Sequence, residues 1–249
     1  MVNLVNKNIL IITEGDKKEI NLMRRLNELF IDDNCAFVSY KTNLYQFYNN
    51  LKSYTGGDFS DLDLLLALRE HEQDEEKKKL FNKNYTSIIL IFDYEPQDNN
   101  FKIDIIKELM NYFSDASDMG QLFLNYPMVE SFYHLRKFDS KIDKNFINSK
   151  FSLEELQKHK YKKRATDEGT TLDVKRMTKI QLKNILCQHA CKANLIVNND
   201  NSLPDGYNHL FLTNILDKQN ELLLQSHEGY IISTCGFYVL ENYPDNIWR

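Results

Sequence analysis

The chain has 249 residues, of which 42% are hydrophobic and 27% charged, a composition that excludes an intrinsically disordered polymer and suits a folded protein. Its formal net charge of −5 excludes a general attraction to nucleic acid, so a polyanion would have to meet a local basic patch or a bound metal ion. Its four cysteines do not suggest a disulfide framework, and no apolar run has the length of a membrane span or a signal peptide, so we expect a cytoplasmic protein.

The first half of the chain alternates predicted strands with predicted helices. Residues 8–13 form an unbroken aliphatic run, which is typical of a strand buried on both faces of a parallel sheet. Glu14 and Gly15 then turn the chain into an amphipathic helix. The predicted elements are strands at 8–13, 36–40, 87–92 and 122–125 and helices at 17–30, 44–54, 61–81 and 103–113. This alternation predicts an α/β fold, a mainly parallel, Rossmann-like sheet flanked by helices, with ligands beyond the carboxyl ends of its strands.

The pattern changes after about residue 140. Helices are predicted over 152–159, 173–195 and 208–225, whereas 230–240 fits either a strand or a buried helix. We therefore expect an α/β domain over 1–140 and a mostly helical carboxy-terminal region over 141–249 packed on it. The apolar and aromatic residues of that region would either pack on the sheet or receive a partner protein.

Acidic residues follow two of the predicted buried strands. Glu14 comes directly after the first, and Asp93 and Glu95 come at the end of the strand at 87–92. The side chains of Asp93 and Glu95 lie on one side of the chain if its backbone stays extended. Clustered carboxylates repel one another and favour a divalent cation, and hard oxygen ligands suit Mg²⁺ or Mn²⁺ better than Zn²⁺. Asp98 is close enough in sequence to be a further ligand. The alternative is that these strand ends simply meet solvent, where acidic residues are common.

These two acidic segments resemble the motifs of TOPRIM domains. Residues 9–15, Ile-Leu-Ile-Ile-Thr-Glu-Gly, resemble the family's hydrophobic strand ending in Glu-Gly, and Asp93-Tyr94-Glu95 resembles its Asp-x-Asp motif with Glu in the last position. The resemblance covers roughly residues 5–135. It implies a TOPRIM-like fold in which Glu14 acts in acid–base chemistry or binds metal, while Asp93 and Glu95 coordinate Mg²⁺. The longer side chain of Glu95 changes the coordination geometry that the family motif would give.

Within that family the layout resembles the small OLD-like nucleases of bacterial phage defence, or abortive infection, which are often partnered by ABC-type ATPases. The segment from Pro127 to Glu130 resembles a Pro-x-x-Glu segment that these small proteins carry after the last core strand. The resemblance implies a metal-dependent endonuclease acting on DNA or RNA, with Glu130 as a second catalytic residue. His134 follows Glu130 by one helical turn and would join it if the segment is helical. The alternative gives Glu130 and His134 ordinary roles at a helix terminus and on the surface.

A basic cluster supplies the candidate contacts to nucleic acid. Its members, in a predicted loop with Tyr161 available for stacking, are Lys160, Lys162, Lys163 and Arg164. Arg136 and Lys137 form a second, smaller candidate. The alternative is a solvated loop paired with the nearby acidic residues 167 and 168.

Three other interpretations compete with the nuclease hypothesis. Cys187, His189 and Cys191 have a spacing that invites zinc, but on a helix His189 points away from the two cysteines, so we expect buried thiols instead. The chain could be a catalytically degenerate TOPRIM subunit that regulates a partner ATPase. It could also be a phosphotransfer enzyme that uses the same carboxylates on a small substrate.

Overall fold

A computed structural model describes residues 7–117, 119–136, 142–206 and 210–248 of the protein. Eight strands are found in these ranges: β1 (Asn8–Thr13), β2 (Asn34–Ser39), β3 (Ser87–Asp93), β4 (Ser114–Asp115), β5 (Gly120–Tyr126), β6 (Lys150–Ser152), β7 (Glu228–Tyr230) and β8 (Ile232–Ser233). Within the same ranges, the twelve α-helices are α1 (Lys18–Leu26), α2 (Leu44–Thr55), α3 (Leu64–His71), α4 (Glu75–Phe81), α5 (Ile103–Tyr112), α6 (Lys144–Asn148), α7 (Leu153–Gln157), α8 (Tyr161–Glu168), α9 (Lys179–Asn198), α10 (Leu210–Ser226), α11 (Phe237–Asn242) and α12 (Asp245–Trp248). None of these helices is both long enough and apolar enough to cross a membrane.

The central sheet has the strand order β2-β1-β3-β5-β4, and β8 also pairs with β5. The strands β2, β1, β3 and β5 are parallel to one another, while β4 and β8 run antiparallel to β5. The aliphatic residues of β1 and β3 are buried on both faces, which explains why their sequences are continuous rather than alternating apolar runs. The prediction of an α/β fold with a mainly parallel sheet is therefore confirmed.

Helices cover both faces of this sheet. Phe92 of β3 contacts Phe47 of α2, with ring centroids 4.8 Å apart, so α2 lies on the face that Phe92 presents. Phe123 of β5 lies beside Ile91 in the register and so points to the opposite face, where its ring centroid lies 6.4 Å from that of Tyr238 in α11. Asp93 has the same parity as Ile91, so its side chain lies on the α11 face.

The predicted helix over 61–81 is two helices, α3 and α4. The break follows from side chains that bind backbone amides instead of continuing the helix. The Glu72 carboxylate accepts from the N–H groups of Gln73 and Asp74, and Asp74 caps α4 by accepting from the N–H of Glu76. The predicted helix over 17–30 also differs, because α1 ends at Leu26 and continues as a π-helical turn, Asn27–Ile31.

The carboxy-terminal region is mostly helical, as predicted, but it also contributes strands. The strands β6 and β7 form a separate antiparallel pair, and β8 extends the central sheet through Ile232 and Ser233. The segment 230–240, left open between strand and helix, therefore contains both. The predicted domain boundary falls within residues 137–141, which lie outside the described ranges.

Candidate metal centre

Three carboxylates meet where the connections of the sheet diverge. Glu14 follows β1, and Asp93 and Glu95 lie at the end of the neighbouring parallel strand β3. From β1 the chain proceeds to β2 on one side, and from β3 it proceeds to β5 on the other, so the crevice between β1 and β3 is the place where ligands bind in open α/β sheets. One ligand oxygen from each carboxylate lies within 4.8 Å of the others. The predicted convergence of these three residues is therefore observed.

The cluster holds protons readily because it is buried. Burial, followed by the charge of Glu95, raises the pKa of Glu14 to about 8. Burial, followed by the charge of Glu14, raises the pKa of Asp93 well above its usual range. The pKa of Glu95 is raised by burial, while the Lys162 ammonium opposes that increase. Three carboxylates that repel one another in a partly desolvated crevice provide the environment that a divalent cation relieves, and the oxygen donors match Mg²⁺ or Mn²⁺.

The backbone at Glu95 is not extended. The side chains of Asp93 and Glu95 therefore do not come together in the way that an extended strand would bring them together. Glu95 has a φ of +37°, in the left-handed region that residues with a Cβ adopt rarely. Its N–H donates to the carbonyl of Pro127 at 3.0 Å, while the N–H of Asp93 donates to Glu14 Oε2 at 3.2 Å. The carboxylates therefore converge through a tight turn after β3 rather than through strand alternation.

Asp93 is oriented from behind by a chain of polar side chains. Asn125 Nδ2 donates to Asp93 Oδ1 at 3.0 Å, and Ser233 Oγ donates to Asn125 Oδ1 at 2.6 Å. The backbone N–H of Ser233 in turn donates to His189 Nδ1 at 3.2 Å. Asn125 is fully buried and Ser233 nearly so, hence the chain is shielded from water. The carboxy-terminal strand β8 thus supports a residue of the acidic cluster.

Glu19 is a fourth acidic residue at this site, and sequence reasoning missed it. It is 7% exposed, and burial raises its pKa. Its charge also raises the pKa of Glu14 and of Asp93, after the larger effect of burial on each, so its carboxylate faces the same crevice. A Cβ at Gly15 would lie 2.5 Å from Glu19 Oε2, hence Gly15 leaves the space that Glu19 occupies. Acidic residues are common in the first turn of a helix for electrostatic reasons alone, so the position of Glu19 in the sequence did not indicate a role in the site.

Glu130 lies next to the cluster in a short 3₁₀ helix, Val129–Tyr133, rather than in an α-helix. It is buried, and its Oε1 accepts from Lys18 Nζ at 2.7 Å. Its Oε2 is buried without a hydrogen-bond partner among the described residues. After the larger effect of burial, the charge of Glu130 contributes to the raised pKa of Glu19 and of Glu95, so Glu130 lies near enough for its charge to act on the site.

Two other predicted members of the acidic site have different partners. His134 Nε2 lies 3.0 Å from Glu168 Oε2, so His134 pairs with helix α8. Asp98 accepts from Asn43 Nδ2 at 2.9 Å and from the N–H of Asn100 at 2.7 Å, one bond to each carboxylate oxygen. Asp98 is not one of the three clustered carboxylates, although its charge adds to the effect of burial on the pKa of Glu95.

The basic cluster lies mainly on a helix, and the prediction of a loop was wrong. Lys162, Lys163 and Arg164 belong to α8, and Lys160 precedes it. Lys160, Lys162 and Lys163 are exposed, and the positive charge of Lys162 counteracts the effect of burial on the pKa of Glu14, Glu19 and Glu95. Lys162 therefore lies near enough to the acidic site for its charge to act there. Tyr161 is 1% exposed and stacks on His134, so it is not available to stack on a base.

Both arginines of the predicted nucleic-acid surface have structural partners. Arg164 binds both oxygens of Glu155, at 2.6 and 2.8 Å, and also donates to the carbonyl of Lys150. Arg136 donates to the carbonyls of Asp167 and Glu168 at the end of α8. Lys137 lies outside the described residues.

Buried thiols were expected for the two cysteines around His189 on α9, and burial is observed for one of them. Cys187 is half-buried and Cys191 is buried. His189 Nδ1 accepts from Ser233, Nε2 faces the carbonyl of Phe132 at 3.4 Å, and burial lowers the pKa of His189 to about 3. Both ring nitrogens thus face protein groups.

Comparison with protein-family models, with curated proteins and with solved structures finds no match for this chain.

Proposed function

We propose that this protein is a metal-dependent, TOPRIM-type endonuclease that hydrolyses phosphodiesters of DNA or RNA. The observation that carries the proposal is the approach of Glu14, Asp93 and Glu95 to within 4.8 Å at the crevice between β1 and β3. The TOPRIM assignment rests on the same residues, since they are the ones that resemble the family's two motifs. We further propose that it acts as the effector of an anti-phage defence system with an ABC-type ATPase partner, on the strength of that resemblance alone.

The donor set fits a hard divalent cation. Asp93 and Glu95 would hold Mg²⁺, with Glu14 beside them, since Asn125 binds only one oxygen of Asp93 and the Asp93 N–H only one oxygen of Glu14. A bound Mg²⁺ would supply charge neutralisation of the phosphodiester and would lower the pKa of a water molecule.

The protein's own residues would supply the remaining steps. Glu14, ionised once a cation offsets the negative charge of the cluster, would take the proton of the attacking water, while one Glu14 oxygen stays bound to the Asp93 N–H. The water oxygen bonds to phosphorus, the bond to the leaving oxygen breaks, and that oxygen takes a proton from solvent. Lys162 is exposed and its charge acts on the carboxylates, so its ammonium would bind a phosphate oxygen of the substrate.

A groove next to the crevice provides a path for the substrate. It has a volume of about 220 Å³ and is lined by residues that include Lys18, Asn21, Glu130 and Tyr133. Glu130 lines this groove, and its charge also contributes to the raised pKa of Glu95, after the larger effect of burial. We expect the chain flanking the cleaved bond to follow this groove.

The test is calorimetry with Mg²⁺ and Mn²⁺, followed by cleavage of single- and double-stranded DNA and RNA. We expect the wild type to bind metal and cleave at least one of these substrates. The variant Asp93→Asn/Glu95→Gln keeps the shape of both side chains, and we expect it to lose both activities. Asp98→Asn is the matched control, because Asp98 is a neighbouring carboxylate outside the cluster, and it should retain both.

Two outcomes would contradict the proposal. Absence of metal binding by folded wild type would remove its basis and would favour the degenerate, regulatory interpretation. Metal binding without cleavage of any of the four substrates would contradict the nuclease assignment and favour phosphotransfer on a small substrate.

A further inference from the structure

The turn that carries Asp93 and Glu95 is held through the residue between them. Tyr94 is fully buried, and its ring packs edge-on against Phe101 with centroids 5.4 Å apart. The Tyr94 ring centroid also lies 5.0 Å from that of Tyr126. The side chain of Tyr94 therefore anchors the turn in the protein core, while its two acidic neighbours reach the crevice.

Two hydrogen bonds fasten Tyr94, one at its backbone and one at the tip of its side chain. The hydroxyl of Tyr45, on α2, donates to the Tyr94 carbonyl at 2.5 Å. The hydroxyl of Tyr94 donates to Asn220 Oδ1, on α10, at 2.6 Å. Tyr45 and Asn220 are 1% and 3% exposed, so water cannot replace either bond, and losing one partner would leave a buried polar atom unsatisfied.

These bonds matter because Glu95 occupies a conformation that its surroundings must maintain. A φ of +37° persists in a residue with a Cβ only when neighbouring contacts hold it there. The peptide group between Tyr94 and Glu95 is fixed at both ends, since its carbonyl accepts from Tyr45 and its N–H donates to the carbonyl of Pro127. The orientation of this peptide determines the direction in which the Glu95 side chain leaves the turn.

We propose that Tyr45 and Asn220 are positioning residues that act through Tyr94 to set the placement of the Glu95 carboxylate relative to Asp93. This inference rests on the proposed metal-binding function. It extends the site to a helix of each half of the chain, α2 and α10.

The inference is tested with the Mn²⁺ affinity of the full chain, measured by electron paramagnetic resonance of free Mn²⁺. We expect Tyr45→Phe, Tyr94→Phe and Asn220→Leu each to weaken Mn²⁺ binding by about 10- to 100-fold, the usual effect of removing a residue that supports a metal ligand. Tyr48→Phe is the matched control. Tyr48 is on the same helix as Tyr45, and its hydroxyl donates to Glu108 at 2.8 Å, so its loss should leave Mn²⁺ affinity unchanged within about twofold.

A double variant separates positioning from stability. Tyr94→Phe/Asn220→Leu removes donor and acceptor together, so neither is left unsatisfied and thermal stability should recover relative to the single variants. We expect its Mn²⁺ affinity to stay low, because the link between Tyr94 and α10 is still missing. The inference is overturned if affinity recovers together with stability, or if all the variants bind Mn²⁺ like the wild type. Failure of the wild type itself to bind Mn²⁺ would overturn the proposed function and this inference with it.

Discussion

The regions before and after residue 140 contribute differently to the same site. The earlier region supplies the carboxylates Glu14, Asp93 and Glu95, which lie at the ends of parallel strands. The later region supplies Ser233, which supports Asp93 through Asn125, and Lys162, whose charge opposes the increase in the pKa of Glu14. The change in sequence character near residue 140 therefore marks a change in architecture but does not separate the functional site from the rest of the chain.

The two groups of residues also differ in how readily they can be predicted from the sequence. The carboxylates of the earlier region follow strands that the sequence displays clearly. The supporting residues of the later region are ordinary polar side chains whose partners lie more than 100 positions away, as Ser233 and Asn125 do. Reactive groups are apparent in the sequence pattern, whereas the groups that orient them depend on the tertiary structure.

The largest expected effect concerns the carboxylates themselves and appears as pH-dependent stability. Between pH 4.5 and about 8 the unfolded chain has ionised Glu14, while the folded metal-free protein keeps its proton. Unfolding then releases a proton, so the free energy of unfolding falls as pH rises through this window, by roughly 5 kcal/mol if each pKa unit contributes about 1.4 kcal/mol. Urea denaturation at several pH values should show this fall in the wild type and a flatter profile in Glu14→Gln. A wild-type profile that rises with pH over this range would contradict the raised pKa.

The second prediction tests whether the later region supports the earlier one. Ser233→Ala removes the donor to the buried Asn125 Oδ1, and we expect a loss of about 1–3 kcal/mol in the free energy of unfolding. Mn²⁺ affinity should fall by about tenfold, because Asn125 orients Asp93. Ser226→Ala is the control, since Ser226 is exposed and its hydroxyl donates only to the Leu222 carbonyl within α10. Equal behaviour of the two variants would show that the Ser233 chain does not support the site.

The third prediction separates structural from functional cations within the basic cluster. Arg164 binds both oxygens of Glu155 in a partly buried pair, so Arg164→Gln should lower the free energy of unfolding by about 1–2 kcal/mol. At temperatures where the variant is folded, its affinity for nucleic acid should be close to that of the wild type. If the variant kept the thermal stability of the wild type and bound nucleic acid more weakly, Arg164 would be a substrate contact and not a structural residue.

The fourth and smallest effect concerns Lys162. Lys162→Gln should leave thermal stability within about 0.5 kcal/mol of the wild type, because Lys162 is exposed. Its affinity for a labelled oligonucleotide, measured by fluorescence anisotropy, should fall, and for duplex DNA the slope of log affinity against log salt should decrease by about 0.9. Lys163→Gln, an exposed neighbour on the same helix, is the control. A larger loss of affinity in Lys163→Gln than in Lys162→Gln would show that substrate does not approach through Lys162.

Much of the parallel sheet could be predicted because its buried strands leave a strong local signal. Residues 8–13 were predicted with the observed bounds, and β3 with one residue too few, since unbroken aliphatic runs end at polar turns in both cases. Strands β6, β7 and β8 have only two or three residues, too few for any periodicity, and they are defined by partners distant in sequence. The charged run around Asp74 was predicted as helix because its charges suit a solvated face, but side-chain capping favours a break there.

The residues of the candidate site also divide into those that local sequence patterns predict and those that only the tertiary structure identifies. Glu14, Asp93 and Glu95 were predictable from their positions at strand ends, and Glu130 from a motif resemblance. Glu19 was not, because its role depends on the space that Gly15 leaves beside it. The pairing of Arg164 with Glu155 and the bond from Arg136 to the carbonyl of Glu168 likewise become apparent only in the folded structure.

The most direct test of the central claim is a crystal structure of the protein grown with Mn²⁺, with anomalous scattering used to locate the metal. We expect an anomalous peak in the crevice between β1 and β3, within about 2.5 Å of carboxylate oxygens of Asp93 and Glu95 and next to Glu14. The Asn125 and Ser233 hydrogen bonds behind Asp93 should be unchanged. A crevice without a peak at saturating Mn²⁺, with the three carboxylates still clustered, would contradict the claim that this acidic cluster is a metal centre.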